Sequence, residues 1–208
     1  MKLDKLLPIE GEDHHNIKGL TVENKTIEIG NGKFQDFIVE STLINCVIRI
    51  KCGANHVNIF NSSLIDCVIW PSRQMNNLRF TGLEMVGCTF KGAYSGCRFG
   101  NEDENQNSNI RECDFSQAKK FDLCNFLGGS DVESCKFPTW PHIVVTDLPS
   151  SKNDWLSLEL TDDFRLIQEV ICDEDSISNA ATIYLPEELE GYEVYRDLLE
   201  SKSYILIG

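Results

Sequence analysis

Between Phe34 and Phe137 one short word recurs: a cysteine, any residue, then a large apolar residue. It reads Cys46-Val47-Ile48, Cys67-Val68-Ile69 and Cys88-Thr89-Phe90, then Cys97-Arg98-Phe99, Cys113-Asp114-Phe115, Cys124-Asn125-Phe126 and Cys135-Lys136-Phe137. The first three copies stand 21 residues apart, and three other series keep that step: Ile38, Ile59, Phe80; Leu43, Leu64, Met85; Ile48, Ile69, Phe90. Within one period these large residues are five apart, each with a smaller residue two places before the next: Ser41, Cys46, Val57, Ser62, Cys67. A helix repeats near 3.6 and a half-buried strand at 2, so neither produces this pattern. A stacked solenoid does, because equivalent side chains on successive coils form ladders. About five coils are expected over 34–137, with the seven repeat cysteines in one inward slot.

Three units carry a fuller pattern of small residue, Asn or Asp, then large apolar residue: Ser108-Asn109-Ile110, Cys113-Asp114-Phe115 and Cys124-Asn125-Phe126. On these units the stretch 34–138 resembles the pentapeptide-repeat family. Most other units lack the Asn or Asp, and the phase slips after Phe90, where Cys97 follows Cys88 by nine. The resemblance implies a mainly β fold, a right-handed four-sided β-helix with small and large residues both pointing inward. It also implies a role through binding surfaces.

Three segments follow. Residues 1–33 form a lead-in, with Thr26–Ile29 alternating like a short strand and Gly30-Asn31-Gly32 as a turn, and this segment is expected to cap the first coil. Residues 34–138 are the solenoid, interrupted by a polar loop from Gly100 to Asn109 with Glu102, Asp103 and Glu104. Pro138 and Pro141 around Trp140 end it, since proline donates nothing to a ladder. Residues 139–208 form an α+β cap. His142–Val145 reads as a strand and Trp155–Leu160 as another. Asp162 or Asp163 starts a helix with Phe164, Ile167, Val170 and Ile171 on its inner face. A second helix starts at Pro186 with Leu189, Tyr192, Tyr195, Leu198 and Leu199 inward, and Tyr204–Ile207 docks at the end.

Nine cysteines is an odd number, and seven share the packing word, so they read as reduced thiols of a cytoplasmic protein. There is no apolar run near 18 residues, so no membrane span is expected, and Met1–His15 lacks the pattern of a signal peptide. His14-His15 has no further ligand at a metal-binding spacing, so neither metal nor cofactor is expected. Phosphate-binding and dinucleotide loops are missing from the sequence, and Gly92-Ala93-Tyr94-Ser95-Gly96 has Tyr94 where a nucleophilic serine would stand. Neither His56 nor His142 lies beside a nucleophile motif. The expectation is a protein that is not an enzyme.

Charge points to the partner. Residues 139–208 hold fifteen acidic side chains against Lys152, Arg165, Arg196 and Lys202, a balance of −11 out of the total −14. Residues 1–138 hold eighteen acidic and fifteen basic, only −3. A small acidic chain without chemistry of its own suits capture of a basic protein, as an immunity protein neutralises a bacterial toxin nuclease. The candidate partner-binding residues are Asp162, Asp163, Asp173, Glu174 and Asp175, with Trp155 as an aromatic anchor. The alternative from the resemblance is a mimic of duplex DNA that acts on a topoisomerase or gyrase, which needs the charge on the solenoid. Direct nucleic-acid binding is not expected at this net charge.

Overall fold

The computed structural model describes residues 14–30, 35–101, 109–128, 130–172 and 178–208. The first turn of the solenoid is β1 (His14–Lys18), β2 (Thr21–Glu23) and β3 (Thr26–Ile29). The second is β4 (Gln35–Val39), β5 (Thr42–Ile44) and β6 (Val47–Ile50), followed by a 3-10 turn at Ala54–His56. The third is β7 (Val57–Phe60), β8 (Ser62–Ile65), β9 (Val68–Pro71) and β10 (Met75–Asn76). The fourth is β11 (Arg79–Thr81), β12 (Leu83–Val86), β13 (Thr89–Phe90) and β14 (Gly92–Ser95). The fifth is β15 (Arg98–Gly100), β16 (Asn109–Arg111) and β17 (Ala118–Asp122), with Asp114 bridging to Thr89 in place of a third strand. β18 (Asn125–Phe126) begins one more turn.

Each strand pairs in parallel with its equivalent one turn on. Four walls result: β1-β4-β7 running on into β11-β15-β18, then β2-β5-β8-β12-β16, β3-β6-β9-β13 and β10-β14-β17. The fold is therefore a four-sided β-helix with helices at its C-terminal end. From Gln35 to Phe137 four turns close and a fifth begins. Residues 14–29 are a turn in their own right rather than a lead-in, and β3 lies where alternation placed it. Their side chains keep the same step, with Ile17 below Ile38, Val22 below Leu43 and Ile27 below Ile48. The side chains of His14 and His15 lie outside the described residues, as does the loop 102–108.

The corners explain why a 21-residue step bends four times. Gly19, Glu40, Asn61 and Gly82 form one column with φ of 65, 51, 50 and 67°, and Asn24, Asn45, Asp66 and Gly87 form a second with φ of 54, 50, 52 and 63°. Left-handed backbone favours Gly, Asn and Asp, which fill seven of these eight positions. Gly87 is needed twice over, since a Cβ there would lie 2.3 Å from Asp66 Oδ1.

The core changes character along the axis. In the first three turns it is aliphatic; from the fourth on it is a double stack of rings. Phe90, Phe115 and Phe137 stack at 4.5 and 5.4 Å, and Phe80, Phe99 and Phe126 at 5.0 and 5.2 Å. The two stacks meet edge-on, as at Phe90–Phe99 (5.5 Å, 83°). The cysteines occupy two slots instead of one. Cys46, Cys67, Cys88, Cys113 and Cys135 follow one corner, where the amide after each of the first four stacks on the carbonyl of the previous level. Cys97 and Cys124 belong to the corner after β14 and β17, which accounts for the nine-residue phase slip. All nine are free thiols, and each repeat thiol from Cys46 to Cys97 donates to the carbonyl two residues earlier, as Cys67 Sγ does to Ile65 O at 3.3 Å. Burial pushes the thiols of Cys46, Cys52, Cys124 and Cys172 above the usual thiol range, which keeps them protonated.

The cap ends the stack by changing strand direction. β19 (His142–Val145), β20 (Ala180–Tyr184) and β21 (Ile205–Leu206) extend the first wall, and β20 lies antiparallel on β18. An exposed parallel edge is thereby covered. Three side chains fasten the joint. Thr182 Oγ1 accepts from Cys124 N at 3.1 Å, Asp122 Oδ1 accepts from Tyr184 N at 2.8 Å, and His142 Nε2 accepts from Phe121 N at 3.3 Å.

Above the strands lie α1 (Leu148–Leu156), α2 (Asp162–Ile171), α3 (Leu185–Glu188) and α4 (Arg196–Glu200). Two expectations are corrected here. Trp155 closes a helix rather than opening a strand: Pro149 sits in its first turn, and Leu148, Ser151 and Trp155 face the core at helical spacing. The helix expected from Pro186 is broken in two by Leu189 in extended backbone and Gly191 at φ 67°, with a 3-10 turn at Tyr192–Tyr195 before α4. The docking of Tyr204–Ile207 is realised as β21.

Candidate interaction surface

The acidic segment folds so that its charge and part of its apolar content face outward together. α2 starts at Thr161, whose hydroxyl accepts from Phe164 N at 3.2 Å, and Asp162 and Asp163 fill the first turn. There their charge favours the positive end of the helix dipole while both side chains stay exposed. Phe164, Gln168 and Ile171 point into the cap core. Gln168 is fully buried because its amide donates to Trp155 O at 2.7 Å and Leu158 O at 3.2 Å, carbonyls that close α1 and the loop after it.

This buried glutamine sets the rotation of the helix and corrects its expected inner face. Val170 is turned outward at 62 % exposure, and Leu166, one turn earlier, is 66 % exposed. They form an apolar pair on the outside of a helix that also shows Asp162, Asp163 and Glu169 to solvent. A second pair lies on the neighbouring segment, Val194 at 79 % and Leu198 at 39 % exposure, beside exposed Glu190, Glu193 and Asp197.

The cap's cations are engaged locally. Arg165 pairs with Glu169 (3.1 Å), Arg196 with Glu200 (2.6 Å) and Lys202 with Asp154 (3.2 Å). Arg196 also lies 5.5 Å from the Trp140 ring centroid. The remaining carboxylates outnumber these cations, and exposed apolar side chains inside a charged rim are the anatomy of an interface centre.

The other expected contacts fall differently. Trp155 is fully buried against Phe164, ring centroids 6.0 Å apart, so it organises the cap core and offers a partner no surface. Asp173, Glu174 and Asp175 lie outside the described residues. Leu166 and Val194 escaped the sequence reading, although one signal was available. α2 carries apolar residues at 164, 166, 167, 170 and 171, more than a single buried stripe needs.

One carboxylate cluster lies at the joint between cap and solenoid. Asp122, Glu187 and Glu188 bring their oxygens within 4.8 Å of one another. Lys120 sits among them, paired with Glu187 and 3.7 Å from Asp122. Burial pushes the carboxyls of Asp122 and Glu188 up, and the neighbouring acids raise Glu188 further. Lys120 thus offsets part of the cluster's charge and ties β17 to α3. His142 has both ring nitrogens turned to backbone, Phe121 N and Thr139 O. Among the described residues no helix is long and apolar enough to cross a membrane. No family model matches the chain, and neither does any curated protein or solved structure.

Proposed function

We propose that this chain is a non-catalytic binding protein whose acidic cap captures a basic protein, in the manner of an immunity protein that neutralises a bacterial toxin. The observation that carries the reading is the outward pair Leu166 and Val170 on α2, with Asp162 and Asp163 exposed one turn earlier. Carboxylates around such a patch raise the capture rate of a cationic surface, and the apolar centre slows its release. The solenoid serves as a rigid base that holds α2 and α4 in fixed relation through the cap strands. Mimicry of duplex DNA has less to support it, because one wall of the solenoid carries Arg49, Trp70 and Lys91 outward.

The test is affinity capture with the full chain from extracts of its source cells, followed by binding kinetics with the purified partner. A basic partner is expected, whose association slows with added salt and slows again for Asp162→Ser/Asp163→Ser. Leu166→Ser/Val170→Ser is expected to speed dissociation about tenfold or more, in line with a truncated interface centre. An acidic partner, or wild-type kinetics in both double variants, would remove this role from the cap.

A further inference from the structure

The solenoid carries a second built surface, opposite in charge to the cap. On the outside of the third wall Glu28, Arg49, Trp70 and Lys91 stand one above another at the 21-residue step. Trp70 is 46 % exposed, with the Arg49 guanidinium and the Lys91 ammonium each 5.6 Å from its ring centroid. Beside it a cleft of about 420 Å³ runs across the corner to the fourth wall, where Arg73, Gln117 and Lys119 join Lys91.

Two details show how the cleft is made. Its floor is Gly92 and Ala93, and a Cβ on Gly92 would press to 3.0 Å from Pro71 Cγ, so no side chain fills the space. At the same place β14 and β17 slip register: Gly92 pairs with Ala118 and Ala93 with Lys120, leaving Lys119 as the extra residue. A bulge of this kind re-aims a side chain, and Lys119 lines the cleft. Arg49 and Lys51 on the far side of Trp70 are paired with Glu28. Arg73, Lys91 and Lys119 have no carboxylate within 4 Å among the described residues. Three such cations around one cleft, in a chain of net charge −14, are a local inversion of the molecule's charge.

We propose that this cleft binds a nucleotide, a free nucleoside mono- or diphosphate, with phosphate oxygens on Arg73, Lys91 and Lys119 and the base against Trp70. The cleft lies in the size range of small-ligand sites. An exposed indole adds a flat apolar wall that every base can use, and the Gln117 amide offers both a donor and an acceptor to a base edge. Lys91 can leave the indole for a phosphate, which frees ring surface as charge is neutralised. Charge separates the free nucleotide from a polynucleotide, because a longer chain of phosphates meets the acidic remainder of the protein.

Calorimetric titration of the full chain at about 0.1 M salt tests this with four probes: ADP, pyrophosphate, an adenylate ten-mer and a glutamate-rich peptide. ADP is expected to bind with Kd below about 1 mM. Lys91→Gln/Lys119→Gln should weaken ADP and pyrophosphate alike, by about tenfold. Trp70→Ala should weaken ADP by about fivefold or more without weakening pyrophosphate. Both variants lie outside the core and should keep the wild-type melting temperature, which separates a lost site from a lost fold. Three results would each overturn the proposal: no heat from ADP at about 5 mM, equal affinity for ADP and pyrophosphate with no effect of Trp70, or tighter binding of the ten-mer or the acidic peptide than of ADP. None of them bears on the cap, which faces a different partner through different residues.

Discussion

The solenoid and the cap hold their cores by opposite means. In the solenoid every inward side chain sits on an equivalent one from the turn below, so one local rule applied at each step fills the interior. In the cap nothing repeats. Trp155, Phe164, Leu199 and Ile183 are each fully buried in surroundings that no other residue shares. Repetition gives the solenoid tight walls with little room to move, whereas the cap holds its helices through single contacts such as Gln168 to Trp155 O. The first arrangement resists change at every inward position alike; the second depends on a few unique residues.

The largest expected effect comes from cutting each core at its centre. Phe115 stacks between Phe90 and Phe137, in walls that cannot close around a void. Phe115→Ala should cost about 4–5 kcal/mol, and Trp155→Ala about 3 kcal/mol, since helices can shift inward. Followed by hydrogen exchange, the Trp155 variant should open the cap while the solenoid amides stay protected. Loss of protection in both regions at once would show that they are one cooperative unit, and the contrast drawn here would fall.

A smaller effect probes the joint. Burial holds the His142 imidazole below its ordinary pKa of 6.5, although the nearby Thr139 carbonyl pulls the other way. In this state the ring is neutral and Nε2 can accept from Phe121 N. The unfolded chain takes up a proton near pH 6.5 and the folded one only lower, so stability is full above that range. It should fall as pH drops from about 6.5 through the folded value. Melting temperatures between pH 7.5 and 5, taken relative to His142→Gln, should show this extra loss in the wild type alone. Parallel curves would mean that the joint does not sense the proton.

The smallest effect concerns the thiol column. Ser41 and Ser62 fill a neighbouring corner and donate to the carbonyl two residues back, the same bond that Cys67 makes to Ile65 O. Cys67→Ser should therefore cost only about 1 kcal/mol in chemical denaturation. A loss near that of Phe115→Ala would mean that the sulfur's bulk, rather than its hydrogen bond, holds the corner.

The sequence revealed the solenoid because its information is redundant. The step from Ile38 to Ile59 to Phe80 states one fact three times, and the corner asparagines Asn24 and Asn45 state it again. The turn from His14 to Ile29 is legible by the same step, but its large residues lack the cysteine word, which is what makes it look like a lead-in. The later turns vary in length, since Met85 pairs with Ile110 and Phe99 with Phe126, and counting alone merged two thiol slots. In the cap each feature is stated once. Leu156-Ser157-Leu158-Glu159-Leu160 alternates like a strand, and only Pro149, seven places earlier, argues for a helix. The outward turn of Val170 depends on a glutamine buried by partners distant in the chain, which no periodicity records. The Trp70 ladder keeps the plain 21-residue step, yet it faces outward, and a core periodicity does not mark it.

The change from aliphatic to aromatic filling along the axis has a kinetic meaning. Turns of a solenoid exchange energy only with their neighbours, so the chain folds and unfolds like a short one-dimensional lattice. The turns rich in phenylalanine lie next to the cap, and β1, β2 and β3 pair on one side only among the described residues. The last turns are therefore expected to form first, with the earlier ones laid down on them. Unwinding is expected to run the other way, from His14 toward Phe137, so a pulling force applied at the N-terminal end should strip one coil at a time while the far end keeps its surfaces in place.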